Sequence, residues 1–132
     1  MNCVIASAQY VAPDSLKKII ATAKKETDRI DAMNWLAFRY YYEYELDSSR
    51  VWVQKALSLS EQYNYHKGLG FANLNLGNLR SAVYEISASV PFFEKSIAEF
   101  EKSGDKAFLS MGYNYLGGTY ISLERYPESL EN

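Results

Sequence analysis

The dipeptide Leu36-Ala37 returns as Leu76-Gly77 and again as Leu116-Gly117, forty residues apart each time. A constant offset of that size marks stacked supersecondary units, none of which can bury its apolar face alone. Other positions keep the same register. Tyr40 matches Tyr120, with Arg80 between them. Leu46, Ile86 and Tyr126 correspond, as do Ser49, Ser89 and Ser129. Val53-Gln54-Lys55-Ala56-Leu57 corresponds to Phe93-Glu94-Lys95-Ser96-Ile97, Glu61 to Glu101 and Leu69 to Leu109. Size and polarity are kept across the copies, so the fold is set by a repeated unit.

Each unit reads as two helices. Between Ala32 and Glu45, the residues Met33, Leu36, Ala37, Tyr40 and Tyr44 fall at three- and four-residue steps, which makes one apolar stripe. Val53, Ala56 and Leu57 do the same between Ser49 and Tyr63. Asp47-Ser48-Ser49 lies between the stripes and supplies candidate N-cap side chains. Pro91 and Pro127 stand near the starts of later second helices, where a missing N–H costs little. Gly104-Asp105 breaks the chain before the third unit. The expectation is all-α: about seven helices, near 14–28, 29–46, 48–64, 67–85, 88–103, 105–124 and from 127 on. Residues 1–13 form an N-terminal arm. Residues 14–132 form the repeat domain, with units near 29–66, 67–104 and 105–132 and the last one shortened. Ala37, Gly77 and Gly117 are expected where a first helix meets its partner most closely. The aromatics Tyr40, Phe93, Tyr113 and Tyr120 are expected to fill the seams between pairs.

Composition narrows the function classes. Fourteen basic residues stand against sixteen acidic, a net charge of −2. Electrostatic nucleic-acid binding needs a basic excess and is disfavoured. One cysteine (Cys3) and one histidine (His66) exclude a disulfide framework and Cys- or His-clustered metal sites within the chain. No metal and no cofactor are expected. His66 reads as a surface side chain without a ligand partner. The acids Glu43, Glu45, Glu99 and Glu101 read as a solvated face, and Lys17-Lys18 with Lys24-Lys25 as a basic edge offset by Glu26, Asp28 and Asp31. No nucleophile stands beside a base, and Gly68-x-Gly70 lies between helices rather than after a strand. No apolar run approaches the roughly 18 residues of a membrane span, so direct insertion is not expected. Cys3–Ala8 is a short apolar run ending in Ala6-Ser7-Ala8, which suits a signal-peptidase site. It lacks a basic start, and a frayed arm fits it equally well. The signal reading tilts localisation toward the periplasm over the cytoplasm.

Tyr113-x-x-Leu116-Gly117-x-x-Tyr120, Leu76-Gly77 with Ser89-x-x-x-Phe93, and Met33-x-x-Leu36-Ala37-x-x-Tyr40 together resemble the tetratricopeptide repeat. The resemblance covers most of residues 14–132, with a period of forty in place of the usual 34. It implies a right-handed superhelical stack of antiparallel helix hairpins, and it implies binding of protein segments rather than catalysis. The longer unit, with Lys102–Lys106 or Tyr65–Gly68 at the joints, resembles repeats of bacterial signalling proteins. The stretch from Asp14 to Asp31 is similar to the sensor regions of membrane histidine kinases or related regulators. Asn73 and Arg80 depart from the pattern where aromatics are expected.

On this architecture a concave face lined by first helices is the candidate peptide groove, with Asn34, Phe38, Tyr41, Tyr42, Leu74, Asn78, Asn114 and Gly118 on it or at its rim. Asn would bond an extended backbone, and Tyr would add apolar area with a polar tip. Asn75 and Asn78 read more readily as packing between neighbouring first helices. The ring run Tyr40-Tyr41-Tyr42 surrounds its helix and cannot all be core. Some tetratricopeptide proteins clamp a peptide carboxylate with Lys and Asn. The matching positions hold Asn34, Phe38, Leu74 and Asn78, with no Lys, so that activity is disfavoured. The last helix runs barely a turn past Pro127, which leaves Tyr113, Leu116, Tyr120 and Ile121 short of cover. That pattern reads as a slice of a longer array, with self-association through its C-terminal end. The functional expectation is a non-catalytic protein- or peptide-binding scaffold, the sensor or regulatory module of a larger bacterial signalling protein. The alternative is a cytoplasmic peptide-responsive regulator controlling an attached DNA-binding domain.

Overall fold

The computed structural model describes residues 11–125, which are helical throughout apart from short connections. Six helices follow one another: α1 (Pro13–Thr22), α2 (Glu26–Tyr42), α3 (Leu46–Gln62), α4 (His66–Ala82), α5 (Ile86–Ser103) and α6 (Lys106–Arg125). No strand occurs among the described residues. The seventh helix expected from Pro127, and most of the expected N-terminal arm, lie outside the described residues. Each helix packs against the next, and α2 also packs against α4.

The repeat has a backbone cause finer than forty residues. Tyr44, Asn64, Tyr84 and Gly104 adopt positive φ (59°, 50°, 63° and 74°) at twenty-residue intervals. Each ends a helix in the left-handed turn that satisfies the last carbonyls. After α2, Glu45 N–H donates to Tyr40 O (2.8 Å) and Tyr44 N–H to Tyr41 O (3.0 Å). Tyr65 to Ser60 O and Glu85 to Arg80 O, both 2.9 Å, repeat the pattern after α3 and α4. The first joint is built differently. Helix α1 ends at Thr22, earlier than its composition implies, and Arg29 reaches back to close it. Its guanidinium donates to Ile20 O and Ala23 O, both at 2.9 Å, and pairs with Glu26.

The expected N-cap cluster does not cap. Helix α3 starts at Leu46, behind Glu45, and no side chain caps it. Asp47 falls in its first turn, and Ser49 is buried, donating to Ala37 O at 2.7 Å across the α2–α3 seam. A capping side chain is present at Asp105, whose Oδ1 accepts from Phe108 N–H at 3.1 Å. Pro91 lies in the second turn of α5 rather than the first.

The core is aromatic. Trp35 meets Phe71 edge to face at 4.8 Å, and Phe71, Phe108 and Phe100 follow at 5.2 and 5.3 Å. Such pairs contribute about 0.5–1.5 kcal/mol each beyond area burial. Two glycines of α4 let the rings of α5 reach its backbone. A Cβ on Gly70 would lie 2.5 Å from Phe100, and one on Gly77 would lie 2.6 Å from Phe93. Gly117 differs from its counterpart Gly77, because nothing lies within 4 Å of a Cβ built there. Tyr113 and Tyr120, expected in a seam, are about half exposed, since no described helix packs on the outer face of α6.

Two predictions rest on this geometry. Gly77→Ala should destabilise by about 1–3 kcal/mol, because the Phe93 ring must retreat from its place. Ser96→Ala should be neutral or stabilising by up to about 1 kcal/mol, since its buried hydroxyl has no partner and Ala56 holds the equivalent position. Chemical denaturation of both variants measures the contrast. Tyr84 is 83% exposed and gains little from its strained turn. Tyr84→Gly should therefore raise stability by about 0.5 kcal/mol, the relief of left-handed strain less the entropy glycine adds to the unfolded chain, read as a shifted denaturation midpoint.

Candidate functional site

A pocket of about 400 Å³ opens among α2, α4, α5 and α6. Tyr41 comes from the end of α2, Asn78 and Ser81 from α4, and Ile86 and Phe93 from α5. Asn114, Tyr115, Gly118, Thr119 and Ser122 come from one face of α6. The wall is assembled from the core outward. Phe93 sits against Gly77, and Tyr115 stacks on Phe93 with ring centres 5.7 Å apart and planes 24° apart. The Tyr115 hydroxyl then meets that of Tyr42 at 3.2 Å, linking α6 to α2. Tyr42 in turn lies against Phe38 (4.8 Å) and crosses Tyr41 edge to face (5.4 Å).

Among the described residues no Asp, Glu, Lys, Arg or His lines this pocket. Its phenols stay neutral. Burial pushes Tyr115 well up from the usual tyrosine range, and its hydrogen bond to Tyr42 acts the same way; the Asn78 amide opposes. Burial, with Tyr42 beside it, also raises Tyr41. The hydroxyls of Thr119 and Ser122 are spent on their own helix, donating to Tyr115 O (2.8 Å) and Gly118 O (3.1 Å). Two amides keep hydrogen-bonding capacity. Asn78 is 1% exposed, and its Nδ2 is directed at the Tyr115 hydroxyl but makes no full hydrogen bond among the described residues. Asn114 is exposed and bonds to no other described residue. A buried donor without a partner costs roughly 1–3 kcal/mol and marks a place where a ligand acceptor adds binding energy.

The expected groove residues divide. Tyr41, Asn78, Asn114 and Gly118 come together in the pocket, and Tyr42 stands on its rim. Asn34, Phe38 and Leu74 do not reach a free surface. Asn34 and Leu74 are fully buried, and Phe38 joins the ring cluster around Trp35 and Phe71. The reason is that α2 and α4 pack on each other, which covers the face of α2 with Asn34 and Phe38 and the face of α4 with Leu74. Asn34 donates to Gly68 O at 3.2 Å, and Asn75 donates to Asn34 O at 3.1 Å, so these two asparagines tie α2 to α4. Of the expected self-association residues, Tyr113, Tyr120 and Ile121 are half exposed, and Leu116 is partly buried.

Two polar clusters at the other end of the helices are absent from the sequence-based expectations. His66 is not partnerless: its Nδ1 lies 2.7 Å from Glu99 Oε2. Glu99 is buried rather than part of a solvated face, and Lys102 approaches it at 3.5 Å. The repeat register held the signal, since Glu99 stands where the preceding unit has Leu59. Beside them Tyr65 donates to Asp31 at 2.8 Å, while Lys67 lies 3.7 Å from Asp31 and 3.9 Å from Asp105. Burial raises the Asp31 carboxyl above its ordinary range against the pull of Lys67 and of the Tyr65 hydrogen bond. Burial also raises the Tyr65 phenol strongly, with the Asp31 charge adding to it. Among the described residues no three His, Cys, Asp or Glu side chains gather as a metal site, and no helix is long and apolar enough to cross a membrane.

No family model matches the chain, and neither a curated protein nor a solved structure is found to be similar to it.

The raised phenols predict an alkaline limit. Tyr65, Tyr115 and Tyr41 ionise later in the folded chain than in the unfolded one, where tyrosines titrate near 10. The stability they contribute is complete below about pH 10 and falls as the pH climbs past it. Urea midpoints should drop over that range, and Tyr115→Phe should make the drop shallower.

Proposed function

We propose that this chain is a non-catalytic scaffold that holds a protein or peptide segment in the α2–α4–α5–α6 pocket. The under-satisfied Asn78 Nδ2 carries this reading, because it stands in a wall made mainly of rings, hydroxyls and a second amide. An extended segment presents carbonyl oxygens that such donors accept as partners, and aromatic rings cover its side chains at small entropic cost. The absence of charge around the pocket suits a neutral stretch and not a clamped carboxylate.

The wider reading is a right-handed superhelical stack of the tetratricopeptide type, acting as the sensor or regulatory module of a larger bacterial signalling protein. Its support is the forty-residue register, the recurrence of one turn geometry every twenty residues, and the packing of each helix on the next. In such a module, ligand in the pocket bridges α2 and α6 and biases the curvature of the stack toward the bound form.

Binding to a displayed random-peptide library, followed by titration of the selected peptides, tests the reading. Tyr41→Ala and Asn114→Ala should each weaken affinity by about tenfold, Asn114→Ala with thermal stability unchanged and Tyr41→Ala with the domain still folded. Asn78→Leu should keep or raise stability and lose binding, because it removes an unsatisfied donor from the apo chain and a needed one from the complex. Unchanged affinity in all three variants refutes the assignment of this pocket.

A further inference from the structure

The outer face of α6 is built unlike the exposed faces of α3 and α5. From Ala107 to Leu123 the chain carries no Asp, Glu, Lys or Arg. The exposed surfaces of α3 and α5, in contrast, include Arg50, Lys55, Glu94 and Lys95. Tyr113, Tyr120 and Ile121 are 52%, 51% and 53% exposed, and they share one stripe of the helix with Gly117. The space around Gly117 is open, whereas its counterpart Gly77 is filled by the Phe93 ring. The stripe therefore holds both an aromatic knob and the small-residue socket that such a knob fills elsewhere in this molecule.

Knob and socket stand four residues apart, and this spacing makes the face complementary to itself. When two α6 helices cross antiparallel about Tyr115, Tyr113 of each meets Gly117 of the other. The same crossing sets Lys106 of each helix opposite Glu124 of the other. Both side chains are exposed, and neither pairs with another described residue. They lie on the same stripe as the knob and the socket, one at each end, so a single register satisfies shape and charge together. The Tyr113 hydroxyl donates to Glu101 on α5 at 3.3 Å, which holds the ring on this face.

We infer that the outer face of α6 is a two-fold docking surface for a second copy of this chain, with Tyr113 of each copy seated at Gly117 of the other and Lys106 facing Glu124. The contact is isologous and closes at a dimer. Its centre at Tyr113 and Gly117 lies on the side of α6 opposite Tyr115 and Thr119, and its edge at Ile121 adjoins the pocket residue Asn114. A neutral apolar stripe bounded by opposite charges suits a helix of matching pattern better than it suits water.

Sedimentation equilibrium of the full chain over a range of concentrations provides the test. The chain should dimerise, and Gly117→Arg should leave it monomeric with its helical circular dichroism intact. Lys106→Glu should weaken the dimer about tenfold. Adding Glu124→Lys to it should restore the dimer. Within one chain these two side chains stand about 27 Å apart along the helix, so rescue requires a second copy in this register. A chain that stays monomeric at every concentration, a dimer indifferent to Gly117→Arg, or a double variant that stays weak each overturns the inference, and the first would assign the face to a different partner.

Discussion

The distance between α4 and α5 is set by a ring lying against a backbone. Gly77 leaves no side chain in the way, so Phe93 lies flat in the space a Cβ would occupy. Three consequences follow from that contact. Phe93 is held in one orientation, its far face is offered to Tyr115, and Tyr115 is carried to where its hydroxyl meets Tyr42. The pocket wall is the end of this chain of contacts. Its stiffness comes from the core, since each ring is fixed by the one beneath it, and protein interiors transmit such constraints because they are close-packed.

The turns perform a second task. A left-handed residue every twenty positions makes α2, α3 and α4 equal in length, seventeen residues each. Equal lengths return the chain to the same two ends of the layer each time. Tyrosine is a costly choice for that conformation, at about 1–2 kcal/mol relative to glycine. At position 44 the ring offsets part of the cost, as its hydroxyl reaches Ala82 O at 3.4 Å and links alternate turns, those after α2 and α4. At position 84 no comparable contact exists among the described residues, and the ring is left in solvent.

Much of this was legible in the chain itself, and the parts that were not share a cause. The forty-residue offset reveals paired helices because apolar positions recur with the geometry they serve. The break at Gly104 is visible because glycine is the natural residue for positive φ. The same conformation at Tyr44, Asn64 and Tyr84 leaves little trace, so the twenty-residue step stays hidden behind ordinary side chains. Asn34 and Leu74 were assigned to a surface because helical spacing identifies a face without saying what lies on it. Only the approach of α4 to α2 decides that the Asn34 amide is spent on Gly68 O. Glu99 was misread by the same logic, since a lone acid in a charged run looks solvated until His66 is seen above it. Tyr41, Asn78 and Asn114 converge from three different positions of the register, each about one turn earlier on its helix than the last, so the forty-residue offset alone does not bring them together.

Repetition also explains why buried polar groups are tolerated at some joints and left open at others. Asn34 and Asn75 bond across the α2–α4 contact, so much of their desolvation is compensated, although Asn75 Oδ1 has no partner among the described residues. Asn78 lies one turn further along α4, where α2 ends and the Tyr41–Tyr42 rings begin, and its Nδ2 is left with the Tyr115 hydroxyl and no full hydrogen bond among the described residues. The seam therefore closes with hydrogen bonds at one end and opens into a pocket at the other. The Asn78 amide is 1% exposed, and a covered donor short of a full hydrogen bond is one that a ligand oxygen can reward.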